Sequence, residues 1–207
     1  MTVLTENQFA VLRNAALRRN RAGAGGAVFV GPGASLTADG SVFQANEAKH
    51  KGGAIVAVGD VTLQKTDLTA NRAYLGGALA LQAGANATLD GCRLVENVCA
   101  PDGVVDAAVA AAVSVTTPQG GALFVERASA RLDGCTVERN RAVIGGAAML
   151  DLSELTSTAS TFDANEATRQ GGAFFGRFST VRLTGGSVVN GRATSGGAAF
   201  AYKGGVE

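Results

Sequence analysis

Residues 43–55 read Phe43-Gln44-Ala45-Asn46-Glu47-Ala48-Lys49-His50-Lys51-Gly52-Gly53-Ala54-Ile55. The asparagine and the Gly-Gly-Ala of this stretch recur along the whole chain. Gly-Gly-Ala stands at 25–27, 52–54, 76–78, 120–122, 145–147, 171–173 and 196–198. An asparagine precedes each one, and these are expected to stack as an internal ladder: Asn20, Asn46, Asn71, Asn97, Asn140, Asn165 and Asn190. The steps between them are 26, 25, 26, 43, 25 and 25 residues. Self-similarity with a period in the twenties marks a solenoid, in which each repeat is one rung and buries its apolar face only against its neighbours.

The interior of the repeat says which solenoid. Three residues before each Asn stand Leu17, Phe43, Leu68, Leu94, Val137, Phe162 and Ser187; five before stand Ala15, Ser41, Thr66, Cys92, Cys135, Ser160 and Gly185. Two positions apart, they share one face of a strand. A second apolar segment ends about eight residues before the Asn, as in Val61-Thr62-Leu63 and Ala87-Thr88-Leu89. A third follows Gly-Gly-Ala, as in Val28-Phe29-Val30 and Leu123-Phe124-Val125. Gly, Asp-Gly and Asn separate the segments, residues whose backbone preferences make turns. Three short strands in about 25 residues, with no room for a helix, predict an all-β, single-stranded right-handed parallel β-helix of seven to eight rungs. The leucine spacing of leucine-rich repeats is absent, and helical repeats could not hold this much glycine inside their elements.

Phe43-Gln44-Ala45-Asn46 followed by Gly52-Gly53-Ala54-Ile55 resembles the repeat of polymorphic outer membrane proteins, the chlamydial surface adhesins, within the broader pectin-lyase-like group of β-helices. Phe162-Asp163-Ala164-Asn165 with Gly171-Gly172-Ala173-Phe174 is close to it, and the other repeats keep the Asn and Gly-Gly-Ala. The resemblance covers about residues 10 to 201. It implies a β-helix module of a surface or secreted protein, extracellular by that likeness, with adhesion as its work. The chain lacks the signal peptide, membrane-barrel domain and high cysteine content of that family.

At 207 residues the chain is expected to form one β-helix domain, 1–207, and to be a piece of a longer protein. A net charge of +1 offers no field to attract nucleic acid or an acidic membrane surface. No apolar run approaches the ~20 residues of a membrane span. At the start, Thr5-Glu6-Asn7-Gln8 reads either as the capping box of a helical cap or as part of a degenerate first rung, with Ala10, Leu12, Ala15 and Leu17 on the inward positions.

The search for chemistry returns little. Cys92 and Cys135 share one repeat position, and Cys99 falls where other rungs carry Ala. They read as small buried thiols; the alternative is a Cys92–Cys135 disulfide between neighbouring rungs. No C-x-x-C pair exists, so no metal site is expected, and no cofactor. His50 is the single histidine and sits beside Lys49 and Lys51, a solvated turn rather than a general base. Asp39, Asp90 and Asp133 share one position, each followed by Gly, which reads as turn chemistry. The Asn-Thr-Asp, Asp-Asp and Gly-His-Gly sets of galacturonan hydrolases do not occur. With no Trp and two Tyr, a carbohydrate partner has little support. No catalytic constellation is found, and the chain reads as a non-catalytic structural or adhesive module with a protein partner or self-association. The alternative is a fragment of a pectin-lyase-like carbohydrate-active enzyme.

Two features point to contact. The interval from Asn97 to Gly120 is long because of a loop insertion, 101–118, rich in Ala and Val. And the strand after Gly-Gly-Ala is apolar on both faces, as in a sheet covered on both sides. One set, Val28/Val30, Ile55/Ala57, Leu79/Leu81 and Leu123/Val125, is assigned to the core. The other, Phe29, Val56, Phe124, Met149, Phe175 and Phe200, is assigned outward as a contact face about 34 Å long, too large to stay bare and so covered by the 101–118 insertion, a second copy of the chain or a missing segment of the parent protein.

Overall fold

In a computed structural model, which describes residues 2–99 and 117–206, the chain winds into an all-β, right-handed parallel β-helix of about seven turns. Among the described residues every strand pairing is parallel, and the rungs stack in register apart from shifts between Ala22 and Ala24 and between Ala142 and Ile144. Sheet I is built from the strands after Gly-Gly-Ala, such as Val28–Val30, Ile55–Ala57 and Leu123–Glu126. Sheet II holds segments such as Asp60–Gln64 and Asn86–Asp90, and sheet III the strands before the asparagines, such as Val42–Gln44 and Asp67–Thr69. The sequence suggests three strands per rung. A fourth, sheet IV, runs from Arg21–Ala24 to Glu166–Gln170, because the residues between each Asn and its Gly-Gly also pair with the rung beside them. These strands vary from two residues, as at Arg72–Ala73, to five, as at Glu47–Lys51, and share no apolar alternation that repeats from rung to rung.

Both glycines of the repeat have a steric cause. The first turns the chain from sheet IV into sheet I with a positive φ, +59° at Gly52 and +64° at Gly76. The second has none to spare: a Cβ on Gly53 would lie 2.0 Å from the carbonyl oxygen of Gly77 one rung along. The alanine that follows is buried in these rungs, as at Ala54 and Ala78.

Inside the coil lies one continuous core. Val28, Val30, Ile55, Leu79, Leu81, Leu123, Val125 and Leu150 of sheet I meet Leu36, Leu63, Leu89 and Leu132 of sheet II and the column Phe43, Leu68, Leu94, Val137 and Phe162 of sheet III. Phe162 closes edge-on against Phe174 with ring centroids 4.6 Å apart. The N-terminal stretch is a first rung. Phe9–Arg13 pairs with Ser35–Asp39, and Ala10, Leu12 and Leu17 pack half-buried on the core. Residues 101–116 of the expected insertion lie outside the described residues.

The glycine argument predicts a contrast. Gly53→Ala should lower stability by about 3 kcal/mol, because neither backbone strand can move aside without breaking register. At Gly23 a Cβ meets nothing within 4 Å, so Gly23→Ala should be neutral or slightly stabilising. Thermal denaturation of the two variants checks it; equal melting temperatures would refute the backbone-contact account.

Candidate contact surface

The asparagines sit where sheet III turns into sheet IV. The residue before each adopts a left-handed conformation, as at Ala45, Ala70 and Glu96, which swings the Asn side chain inward. Asn46 Nδ2 donates to Asn71 Oδ1 at 3.0 Å and to the carbonyl of Leu17 at 2.9 Å, and the Asn46 backbone N–H donates to the same Asn71 Oδ1. Asn71 repeats this toward Asn97 and Phe43. Asn97 and Asn140 continue it to Asn165, and Asn20 begins it. Each interior amide therefore donates twice and accepts twice, which lets it stay buried at little cost.

Asn190 does not join the stack. It is exposed, has a φ of 53°, and donates from Nδ2 to Asp163 Oδ1. The register explains this. Phe162 is paired with Val188 and Glu166 with Arg192, so Gly191 occupies the ladder position and Asn190 the left-handed position before it. The last step is one residue longer than the asparagine count implies. Val188, not Ser187, continues the Phe162 column. A side chain at 191 has no room, since a Cβ there would meet the Gly197 carbonyl oxygen at 2.3 Å.

The second face of sheet I forms an apolar cluster separate from the main core. It comprises Val56, Ala80, Phe124, Met149 and Phe175 together with Tyr74, Leu75 and Ile144 from the approach to the Gly-Gly turns. The central members are buried, and Phe29 and Phe200 at its ends are half-buried. Phe175 and Phe200 stack with ring centroids 5.5 Å apart. Lys51 lies over this cluster, with Nζ 5.8 Å from the Phe124 ring centroid and 3.5 Å from Glu126 Oε2, while Gln82 Nε2 donates to the same oxygen at 2.8 Å. Among the described residues, Tyr74, Leu75 and Ile144 pack with the middle of this face, while Phe29, Val143 and Phe200 stay partly exposed; residues 101–116 of the insertion expected to cover it lie outside the described residues.

Apart from single exposed residues near the two ends, such as Phe9 and Val11, a cluster of exposed apolar side chains lies at the corner between sheets I and II. Arg127, Leu152, Phe178 and Lys203 occupy equivalent turn positions there, all with φ near +50°. Leu152 is 50% exposed, Phe178 48% and Tyr202 50%. Phe178 and Tyr202 meet edge-on with centroids 6.1 Å apart, and Lys203 Nζ lies 5.6 Å from the Phe178 ring. Beside this ridge runs a shallow cleft of about 510 Å³ whose lining includes Asn86, Arg127, Ser129, Glu154 and Thr180. Its polar groups form their own ladder: Asn86 Nδ2 donates to Asp60 Oδ1, and Ser129 Oγ to Asn86 Oδ1 at 2.7 Å. The nearby carboxylates are engaged. Glu154 pairs with Arg182, and Asp151, itself buried, receives Arg177 Nε at 2.8 Å, a bond that raises the pKa of the guanidinium. The sequence did carry a signal for this corner. Leu152 and Phe178 are large apolar residues at a position where glycine, asparagine or a small residue is cheaper.

The remaining candidates are dispersed. His50 is half-buried in the sheet IV strand Glu47–Lys51, not in a turn. Asp90 and Asp133 are in-register neighbours at the end of sheet II, with Gly91 and Gly134 at positive φ after them; Asp39 stands two rungs before Asp90, with Gln64 between. After the asparagines, Arg21 pairs with Glu47 at 3.1 Å and Arg141 with Glu166 at 3.4 Å, both exposed. Cys92, Cys99 and Cys135 are buried free thiols. Among the described residues, no group of three or more His, Cys, Asp or Glu could hold a metal ion, and no helix is long and apolar enough to cross a membrane. No family model, curated protein or solved structure matches the chain.

The ladder geometry sets a second expected outcome. Asn71→Leu strands two donors of Asn46 and removes both bonds that Asn71 Nδ2 supplies, so stability should fall by about 3 kcal/mol or more. Arg72→Ala, one residue on and exposed, should change it by less than about 0.5 kcal/mol. Chemical denaturation of both variants is the check.

Proposed function

We propose that this chain is a non-catalytic, structural or adhesive β-helix module of a surface or secreted protein, and that it makes protein–protein contact through the corner between sheets I and II. One observation carries the reading: Leu152 and Phe178 are exposed, in adjacent rungs, on a strained left-handed backbone. A bulky side chain there costs more than glycine or asparagine would, and such strain persists where the surroundings hold it and tends to mark contact sites. The ridge they form with Tyr202, flanked by Arg127 and Lys203, has the aromatic and basic composition of interface hot spots. The rigid stack behind it keeps these side chains at fixed spacing, which limits the entropy lost on association.

The non-catalytic part of the reading is supported by the acids themselves. Glu154 and Asp151 beside the cleft are each engaged by an arginine, Arg182 and Arg177, so neither carboxylate faces the cleft without a partner.

The contact reading is tested on self-association. Phe178→Asn with Tyr202→Ser should leave thermal stability unchanged or raised, since asparagine tolerates the left-handed backbone, while sedimentation equilibrium shows association weakened at least tenfold. A wild-type chain that stays monomeric at high concentration, or a double variant that associates as before, would sink self-association through this corner. On pectate, polygalacturonate and alginate, with or without calcium, no cleavage products should form. Product formation that disappears on replacing Asp90 and Asp133 would restore the enzyme reading.

A further inference from the structure

Where sheet II turns into sheet III, a second polar ladder runs inside the coil. Its members are Ser41, Thr66, Cys92, Cys135 and Ser160. Each hydroxyl donates to the carbonyl two residues back, Ser41 to Asp39, Thr66 to Gln64 and Ser160 to Thr158, and each accepts an N–H from the rung before, as from Ala15 to Ser41 and from Cys135 to Ser160. A hydroxyl is the better acceptor for this task; sulfur is a weak one. Yet two adjacent rungs carry thiols. They are the rungs on either side of the 43-residue step, the longest excursion the chain makes between neighbouring turns.

We propose that Cys92 and Cys135 are a modification site, an oxidisable pair that closes to a disulfide and clasps these two rungs together. The pairing of Arg93 with Thr136, and the 2.9 Å bond from the Thr136 N–H to the Cys92 carbonyl, place the two cysteines directly above one another. Their Cα atoms are then about one strand spacing apart, ~4.8 Å, inside the ~4.4–6.8 Å range of disulfides. Both sulfurs face the same interior column. Cys92 Sγ lies 3.3 Å from the Leu63 carbonyl and Cys135 Sγ 3.4 Å from that of Leu89, each leaning toward the preceding rung. Losing the thiol protons orphans little. The Asp90 and Asp133 carbonyls that also receive them already accept the N–H groups of Lys65 and Gly91. The bond would be neutral, as a buried column requires, whereas paired thiolates would not.

The two thiols sit in matching surroundings, each donating to the carbonyl two residues back and to one in the preceding rung, so exchange can open at either sulfur, for example at Cys135. With a low-molecular-weight disulfide such as oxidised glutathione, the Cys135 thiolate attacks one sulfur and releases one glutathione thiolate, leaving a mixed disulfide. Cys92 gives up its proton, attacks the Cys135 sulfur and releases the second glutathione. Two protein thiols are oxidised and one glutathione disulfide is reduced. Cys99 serves as an internal control. It lies in sheet IV, its thiol donates to the Gly120 carbonyl at 2.9 Å, and burial pushes it up to about 12. The proposal is independent of whether the corner between sheets I and II binds a partner.

The test uses the whole chain, incubated natively and also refolded from urea, in oxidised glutathione and separately in dithiothreitol. Alkylation after denaturation is read by intact mass and peptide mapping. The expected result is one remaining alkylatable thiol, on Cys99, a Cys92–Cys135 linked peptide, and a Tm higher by on the order of 5–10 °C than the reduced form. Dithiothreitol should abolish the gain. Cys135→Ser should lack both the link and the gain while keeping the reduced Tm, and Cys99→Ser should keep both. Oxidation seen only on refolding supports the bond, with burial limiting access. Three alkylatable thiols under both regimes, a link through Cys99, or a link that lowers Tm would overturn the proposal.

Discussion

The buried side-chain amide is the group on which the coil depends. An asparagine removed from water must find two acceptors for its Nδ2 and two donors for its Oδ1, or cost a substantial part of a domain's stability. Among the described residues, Asn46, Asn71, Asn97 and Asn140 are satisfied by another asparagine at the same place in the rung on either side. Asn46, Asn71, Asn97 and Asn140 supply one another, and each also holds the carbonyl of the strand that precedes the turn in the neighbouring rung. The ladder therefore does two jobs at once: it fixes the left-handed turn between sheets III and IV, and it fixes the register of the whole rung. A slip of one residue would turn Phe43 and Leu68 from the core to the surface.

Sheet I shows what such fixed register permits. Both of its faces are apolar in sequence, and both are covered, but differently. Leucine, isoleucine and valine on the inner face fill the coil. On the outer face the chain's own approach to the Gly-Gly turn lays Tyr74, Leu75 and Ile144 over the row. Lys51 adds to the cover, its ammonium over the ring of Phe124 and paired with Glu126. The Tyr74 hydroxyl is the one buried side-chain polar atom among the described residues left without a partner, so the outer cluster is less completely satisfied than the core.

The corner between sheets I and II differs from both. It has a column of turn residues that the stacking does not need to be apolar, and in adjacent rungs they are Leu152 and Phe178. The neighbouring acids are neutralised by arginines, and the cleft floor is a ladder of amide and hydroxyl groups. Such a surface offers shape, stacking area and matched hydrogen bonds, and those are the terms from which protein contacts are built.

Much of this was legible without coordinates. The repeated Asn and Gly-Gly-Ala determined a parallel β-helix, its period and the inward columns, because a stacked rung must satisfy the same steric and hydrogen-bonding demands at the same position every turn. Gly53 and Asn71 are examples: one has no space for a Cβ, the other bonds to the asparagines of both adjacent rungs and to the Phe43 carbonyl. Asn190 shows where pattern fails. It matches the motif, yet strand pairing puts Gly191 in the ladder, because register is decided by backbone contacts with Phe162 and Glu166 and not by the nearest asparagine. Sheet IV was hidden because its strands vary from two residues, as at Arg72–Ala73, to five, as at Glu47–Lys51, and share no apolar alternation that repeats from rung to rung. The cover over Phe124 depends on side chains arriving from other rungs, and the exposed ridge of Leu152, Phe178 and Tyr202 on which corner the coil turns outward. Sequence alone determined which residues repeat; the three-dimensional stacking decided which of them meet, because contact between rungs is a property of register and not of period.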